Sequence, residues 1–256
     1  MQTRVEVSSM TDAQLSSFRQ AISASKGIND NRGYAYWAGL HGLPGQFCQH
    51  GTTLFLPWHR AYLYLFEKSL QDQVPGVTLP WWDWTSTASH AQGIPASYTD
   101  TSADNPLQNA PVSISSDLID QVREQLPGAI SDGADPTTVR HSRSADQLPE
   151  ATTIDSILTD YPQFDDFSTQ LENVHNWLHV WVGGSMSVIP IAAFDPVFWA
   201  HHAMIDRLWY LWQMKHPSGT PSPDILNTAL APFPLTVGQV LDMGRLGYDY
   251  AVTAAD

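Results

Sequence analysis

The chain has 256 residues, 43% of them hydrophobic, and its 26 acidic against 12 basic residues leave a formal net charge of -14. Such a surface repels phosphate backbones, which excludes nucleic acid as a partner, and no apolar run reaches the roughly 20 residues of a bilayer span, so no membrane partner is expected. The single cysteine, Cys48, rules out an internal disulfide framework and a thiolate zinc cluster.

Length and composition suit one domain over residues 1–256, with a core that ten tryptophans make aromatic. Met1 is followed by polar residues rather than the apolar stretch of a secretion signal, which slightly favours the cytoplasm over secretion after processing. Thr11 is placed to cap a helix whose apolar face carries Leu15, Phe18 and Ile22. YAYWAGLH, residues 34–41, reads as a helix ending in His41 and stopped by Gly42 and Pro44. A loop with Cys48 and His50 follows, and Pro57 leads into a helix over WHRAYLYLFEKSLQDQ, where His59, Leu63, Phe66 and Leu70 share the inner face. LPWWDW, residues 79–84, is an aromatic segment whose lone acid, Asp83, needs hydrogen bonds if buried and is expected to brace structure. Residues 86–168, rich in Ser, Thr, Asp, Pro and Gly, read as a long irregular connection with helices at 116–125 and near 153–159. Near the end, TVGQVLDM predicts a further short helix.

The chemistry gathers between Leu171 and Trp212. His175 and His179 are four apart, which on a helix stacks two side chains one turn apart on one face, the geometry a metal needs from two ligands of one element. Asp195 as N-cap and Pro196 at the first helical position open the next helix. There Phe198, His202, Asp206 and Trp209 form one stripe, and His201 points about 100° away from it, so His202 is the expected third ligand. Taken alone, the His175–His179 pair is equally compatible with two surface histidines. The earlier half of the chain changes that balance, because His41, His50 and His59 recur at nine-residue intervals on two helices and the loop between them. Two trios predict two metals. His90, His141 and His216 lie among Ser, Pro or Gly and are expected to be solvent-exposed. Trios of imidazole alone suit copper first and zinc second, and HNWLH lacks the glutamate of the zinc-peptidase pattern. The expected fold is mainly α: a four-helix bundle core holding a dinuclear copper centre, with long irregular connections and few short strands.

CQHGTTLFLPWHRAYLYLFE, from Cys48, and ENVHNWLHVWVGG with FDPVFWAHHAMIDRLW, from Glu172 and Phe194, resemble the two copper-binding signatures of the type-3 copper proteins, which are the tyrosinases, catechol oxidases and molluscan haemocyanins. The resemblance runs from Arg4 to Tyr250. It implies two copper ions, one on His41, His50 and His59 and one on His175, His179 and His202, with O2 as co-substrate and a small phenol as partner. Cys48-Gln49-His50 resembles the Cys-x-His in which the sulfur is bonded to the imidazole carbon, implying a thioether to His50. Glu172 and Asn176 match the pair that holds a proton-accepting water for monophenols, the less favoured alternative for Glu172 being a solvated helix residue. Phe198 matches an aromatic that roofs the second copper. With Met186, Val180 and His201 it makes up the expected substrate pocket, Met186 and Val180 being otherwise ordinary core. The implied activity is hydroxylation of monophenols and oxidation of o-diphenols to o-quinones. The alternatives are a catechol or o-aminophenol oxidase without monophenol activity and, less favoured, an oxygen carrier or a zinc or structural histidine-rich protein. The family also admits a copper-delivery caddie protein as a partner. Gly247-Tyr248-Asp249-Tyr250 resembles the tyrosine motif that closes the catalytic core, and a chain stopping there is expected to lack a domain shielding the coppers, which favours an enzyme. Arg4 is expected to pack on Tyr248 and Tyr250.

Overall fold

The computed structural model describes residues 1–102 and 104–251. Thr11 accepts a hydrogen bond from the Gln14 amide and Gln14 accepts one from the Thr11 amide, a capping box that starts α1 (Asp12–Lys26). Phe18 and Ile22 are buried from its inner face, and Leu15 packs half-buried beside them. α2 (Tyr34–His41) ends at Gly42, and α3 (Phe55–Gln71) begins three residues before the expected Trp58. Pro57 therefore lies in the first turn of α3, where its missing N–H leaves no intrahelical bond unmade.

Residues 86–168 are more regular than their composition suggests. They hold α4 (Thr87–Gln92), α5 (Ala96–Thr99), α6 (Ser116–Gln125), α7 (Ala151–Asp160) and the start of α8 (Phe164–Val182). The first four are short and rest on few contacts: the Ser86 hydroxyl caps α4 at Ser89, α6 buries only Ile119 and Val122, and α7 only Ile154 and Ile157. α6 coincides with the helix expected at 116–125 and α7 covers the one expected near 153–159, whereas α4 and α5, with a single buried residue each, carry no apolar period to mark them. The segment also partners two histidines expected in solvent. His90 and His216 are half-buried, each with Nε2 on a backbone carbonyl, Pro149 at 3.2 Å and Leu158 at 2.9 Å; His141 is exposed as expected.

α9 (Val197–Lys215) is buried on nearly every side from Val197 to Trp209. Its start sits one residue later than expected, with Pro196 at the cap position, yet Asp195 still acts as a cap. Its Oδ1 accepts the Val197 amide at 2.9 Å, while Arg140 grips the same carboxylate from Nε and Nη2. α10 (Val237–Val240) and α11 (Met243–Leu246) follow. Asp83 braces its own turn, accepting the Thr85 amide and hydroxyl.

The fold is mainly helical. α3, α8 and α9 pack on one another, and α2 packs on the turn Ala192–Phe194 that precedes α9. Eight tryptophans are fully buried in the core around them, so aromatic area rather than aliphatic branching dominates its packing. β1 (Gln2–Arg4) pairs in parallel with β2 (Tyr248–Tyr250), Gln2 opposite Tyr248 and Arg4 opposite Tyr250. The Arg4 guanidinium lies 3.8 Å from the Tyr248 ring centre and donates to the Tyr250 hydroxyl at 2.7 Å and to Glu67 at 2.9 Å. Asp206 of α9 completes the group, accepting both tyrosine hydroxyls at 2.8 Å and Arg60 of α3 at 2.6 Å. This buried network ties β1 and β2 to the residues next to His59 and one turn after His202. Among the described residues, no helix is long and apolar enough to cross a membrane.

Candidate metal centre

α8 presents His175 and His179 one turn apart, and α9 brings His202 against them. His175 Nδ1 donates to Asn176 Oδ1 at 3.0 Å and His179 Nδ1 to the Met186 carbonyl at 2.7 Å. Carbonyl oxygens can only accept, so the proton of each neutral ring sits on Nδ1 and each Nε2 is left as a bare lone pair. Those two Nε2 atoms are 2.9 Å apart, and His202 Nε2 is 3.2 Å from both. The lone pairs of His175 and His179, so placed, cannot hydrogen-bond each other. A cation among them, at the roughly 2 Å of an imidazole–metal bond, turns mutual repulsion into coordination. Burial pushes the pKa of His179 down to about 4 and holds His175 and His202 well below the ordinary 6.5, with neighbouring imidazoles adding to the effect. The rings are neutral at pH 7 and need lose no proton to bind a metal.

The other trio is assembled differently. His41 closes α2 and His59 sits in the first turns of α3, both buried, whereas His50 is half-buried on the loop between. His59 Nδ1 donates to the Phe55 carbonyl at 2.8 Å, leaving its buried Nε2 without a partner. Ring centres are 5.2 Å apart for His50–His59, 5.3 Å for His41–His50 and 5.6 Å for His41–His59. The ring nitrogens do not close into one group of three. Those of His41, His59 and His202 lie within 4.8 Å of one another, as do those of His41 and His50 with Cys48 Sγ, so His41 links the two groups. Burial lowers His50 to about 4 and raises the Cys48 thiol to about 11. Two glycines shape this loop. A side chain on Gly42 would collide with the Pro190 carbonyl, and Gly51 turns with φ +65°. That turn points the Gly51 N–H at Glu172, 2.6 Å away, and so ties the His50 loop to α8.

The trios face each other, His50 stacked on His175 at 5.5 Å and His59 on His202 at 4.6 Å. Beside them opens a pocket of about 160 Å³ whose wall includes His41, His50, His175, His179, Val180 and Met186. Phe198 and His201 are not in that wall. Phe198 is fully buried between His202 and His41, its ring 4.0 Å and 4.8 Å from theirs, so it braces ligands instead of meeting substrate. His201 is equally buried and, contrary to the expected turn away from the ligand face, also packs on α8. Its ring stacks on His175 at 5.2 Å and lies 5.0 Å from His179, with a ring nitrogen within 4.8 Å of those of His175, His179 and His202, although a 100° step along α9 keeps it out of the opening. The sequence reading missed Ile189, which lines the opening on an irregular stretch that no periodicity marks. It also missed the carbonyls of Phe55 and Met186 that fix two ring tautomers; backbone groups leave no trace in residue identity.

Glu172 is buried, not solvated, with only 7% of its surface exposed. Desolvation raises its pKa above the ordinary carboxylate value and the Gly51 N–H opposes the rise. It lies, with Asn176 and His50, in the wall of a second cavity that adjoins the pocket.

Two facing clusters of neutral imidazoles in a mainly helical core place this protein among the dinuclear copper proteins of type 3. Residues 31–215 match the family model described as the common central domain of tyrosinase. The tyrosinase of Streptomyces antibioticus is 34% identical over 215 residues, covering 74% of this chain and 76% of that protein. Haemocyanin units G and H of Sepia officinalis are 30% identical over 224 residues, 82% of this chain and 37% of that protein. Among solved structures, an octopus haemocyanin functional unit superposes with a TM-score of 0.81 at 28% identity, covering 98% of this chain and 68% of that one. A mushroom tyrosinase, at 21% identity and a TM-score of 0.75, shares the fold over 97% of this chain and 89% of its own. The chain belongs to the tyrosinase family and is a copper oxidoreductase of the tyrosinase type.

Proposed function

We propose that this protein hydroxylates monophenols and oxidises o-diphenols to o-quinones with O2, on one copper held by His41, His50 and His59 and another held by His175, His179 and His202. The bound copper pair supplies O2 binding and the two-electron chemistry. The observation that carries the monophenol step is Glu172, a buried carboxylate of raised pKa in the wall of the cavity that adjoins the copper-side pocket. A phenol is almost wholly protonated at neutral pH, its pKa lying near 10 as tyrosine's does, so it needs a base before it can act as a ligand. A carboxylate moved up toward neutrality is the better base for that proton, directly or through one water. Asn176 acts elsewhere, since its Oδ1 holds the His175 ring in the tautomer that turns Nε2 toward the metal. The closeness of Cys48 to His50 supports a thioether between them, and exposed Val180 and Ile189 at the opening offer an apolar rim for a small phenol or a copper-delivery partner.

One observation favours the second reading, a catechol or o-aminophenol oxidase. The Gly51 N–H already occupies a Glu172 oxygen and weakens it as a base. Copper-loaded protein assayed on tyramine and on catechol separates the two. Under the proposal Glu172→Gln slows tyramine by about 10²-fold or more, within the usual range for a general base, and catechol far less. Equal losses on both substrates make Glu172 structural, and a parent enzyme that turns over catechol but no monophenol establishes the narrower activity.

A further inference from the structure

Along α8, Asp165, Ser168, Thr169, Glu172 and Asn176 recur every three or four residues and therefore share one face of the helix. With residues 51–53 of the His50 loop they wall a groove of about 650 Å³. Its inner end is the copper-side pocket, since His50, Asn176 and Ile189 belong to both walls. At 1.5 Å of rise per residue, Asp165 lies about 10 Å along α8 from Glu172 and about 16 Å from Asn176. The inner pocket is sized for one aromatic ring. The groove is about four times larger and suits a tail longer than the two carbons of a simple phenolic amine.

Its lining has a sign. Among the described residues the only charged side chains in the wall are Asp165 and Glu172, and no lysine or arginine lines it. Asp165 is exposed and has no ion-pair partner among the described residues. The N-terminus of α8 carries roughly half a positive charge, which the two aspartates of its first turn, Asp165 and Asp166, outweigh. Ser168, in the same wall, keeps a buried hydroxyl that has no partner. The net charge of -14 adds a long-range field of the same sign.

We propose that this groove is the specificity subsite of the enzyme and that it receives a cationic tail. The substrate class is then a tyrosine in a short basic peptide, its phenol at the histidines and a lysine or arginine one or two residues away lying along α8 toward Asp165. The proposal rests on the phenol-oxidase reading. It adds what that reading leaves open, namely which phenols are selected.

The test uses copper-loaded protein and two pairs of blocked tripeptide amides, Phe-Gly-Lys against Phe-Gly-Glu and Tyr-Gly-Lys against Tyr-Gly-Glu. The phenylalanine pair has no hydroxyl to oxidise, so calorimetry reads binding apart from turnover. The lysine peptide is expected to bind about fivefold more tightly at low salt, the upper range of an exposed ion pair, with most of the preference lost at high salt. Asp165→Asn should bring the ratio close to one without changing kcat or KM for catechol, and Thr169→Lys, a change at an exposed position, should invert it. Equal affinity for the two phenylalanine peptides, or a preference that survives Asp165→Asn, overturns the proposal. The tyrosine pair keeps the two readings apart. Preferential binding of Tyr-Gly-Lys without hydroxylation upholds the groove and removes the monophenol activity, whereas hydroxylation of both tyrosine peptides with equal KM does the reverse.

Discussion

The two histidine trios of this protein solve one problem by different means. In the second, one helix supplies two rings a turn apart, a packed helix supplies the third, and acceptor oxygens fix the rings of His175 and His179, so three Nε2 atoms meet within 3.2 Å. In the first, a helix end, a loop and a helix start each give one ring, and among the described residues no hydrogen bond orients His50. The difference is one of preorganisation. Where helices place the ligands, folding has already met the entropic cost of the site; where a loop places one, binding must order it.

Acid is the strongest way to probe that contrast. His41, His50, His59, His175, His179, His201 and His202 all have pKa values held below 6.5, first of all by burial. An unfolded chain takes up protons below pH 6.5 that the folded one refuses. Stability is therefore full above 6.5 and is lost as pH falls toward 4, by about 1.4 kcal/mol per pH unit for each ring that stays neutral in the fold. The copper-free protein should show a melting temperature that drops steeply over that window. His175→Ala should flatten the drop more than His50→Ala does, because the half-exposed loop ring is the easier of the two to hydrate. A melting temperature that stays flat from pH 7 to 4 would show that these rings are not held neutral by the fold.

Removing a ligand comes next. His202→Ala should bind one copper per chain in place of two and lose at least ~10³-fold in catechol oxidation, since several kcal/mol of metal assistance disappear with it. Stepwise titration of the parent should fill the second trio first. His50→Ala should leave that first, tight step intact while His175→Ala removes it. Two copper ions retained in His202→Ala, with loss of one in His201→Ala, would reverse the assignment of the third ligand.

The contrast also explains what could be read from the residues. A helix has a fixed period, so His175 with His179 and the turn of His202 toward α8 followed from spacing alone, whereas His201, expected to turn away, also packs on α8, its ring stacked on His175 and 5.0 Å from His179. Arg4 and the two tyrosines were legible as a cation beside aromatic rings, but Glu67 and Asp206, which make the contact a buried charge network, were not. A stripe names a face without naming what lies opposite. Phe198 thus shared the expected side of α9 and still proved to be wedged between two ligand rings. Glu172 was ambiguous because its partner is Gly51, 121 residues earlier in the chain. Of the short helices in residues 86–168, those at 116–125 and near 153–159 were legible, whereas Thr87–Gln92 and Ala96–Thr99 were not, since a cap and tertiary contacts hold them where an apolar period is lacking.

Asn176 tests whether the second trio owes its order to hydrogen bonds or to the helices alone. It accepts the His175 Nδ1 proton from an exposed position, so Asn176→Ala removes an orienting contact with little loss of packing. Copper affinity at the second site should fall about 10- to 100-fold, the usual effect of deleting an orienting partner, and affinity at the first site should stay within error. An unchanged second site would mean that helix packing alone holds His175.

The smallest expected effect concerns the device that would compensate the first trio for its loop. Cys48 Sγ lies within 4.8 Å of ring nitrogens of both His41 and His50, and burial keeps the thiol protonated at neutral pH, so it is a poor copper ligand as it stands. Joining the sulfur to a ring carbon of His50 removes the S–H and one ring C–H, the two electrons and two protons passing to O2, and leaves a side chain that can no longer turn freely. Restraining one side chain in this way lowers the ordering cost of binding by about 0.5 to 1.5 kcal/mol, or roughly 2- to 12-fold in affinity. Cys48→Ala should therefore weaken the first copper site by that modest factor and leave the second untouched. Peptide mass analysis of copper-exposed parent protein should find the segment around His50 lighter by a pair of hydrogens. A Cys48 that alkylates freely in active enzyme, together with unchanged copper steps in Cys48→Ala, would mean that the loop places His50 unaided, held by the Gly51 contact with α8 and by the stacking of His50 on His175.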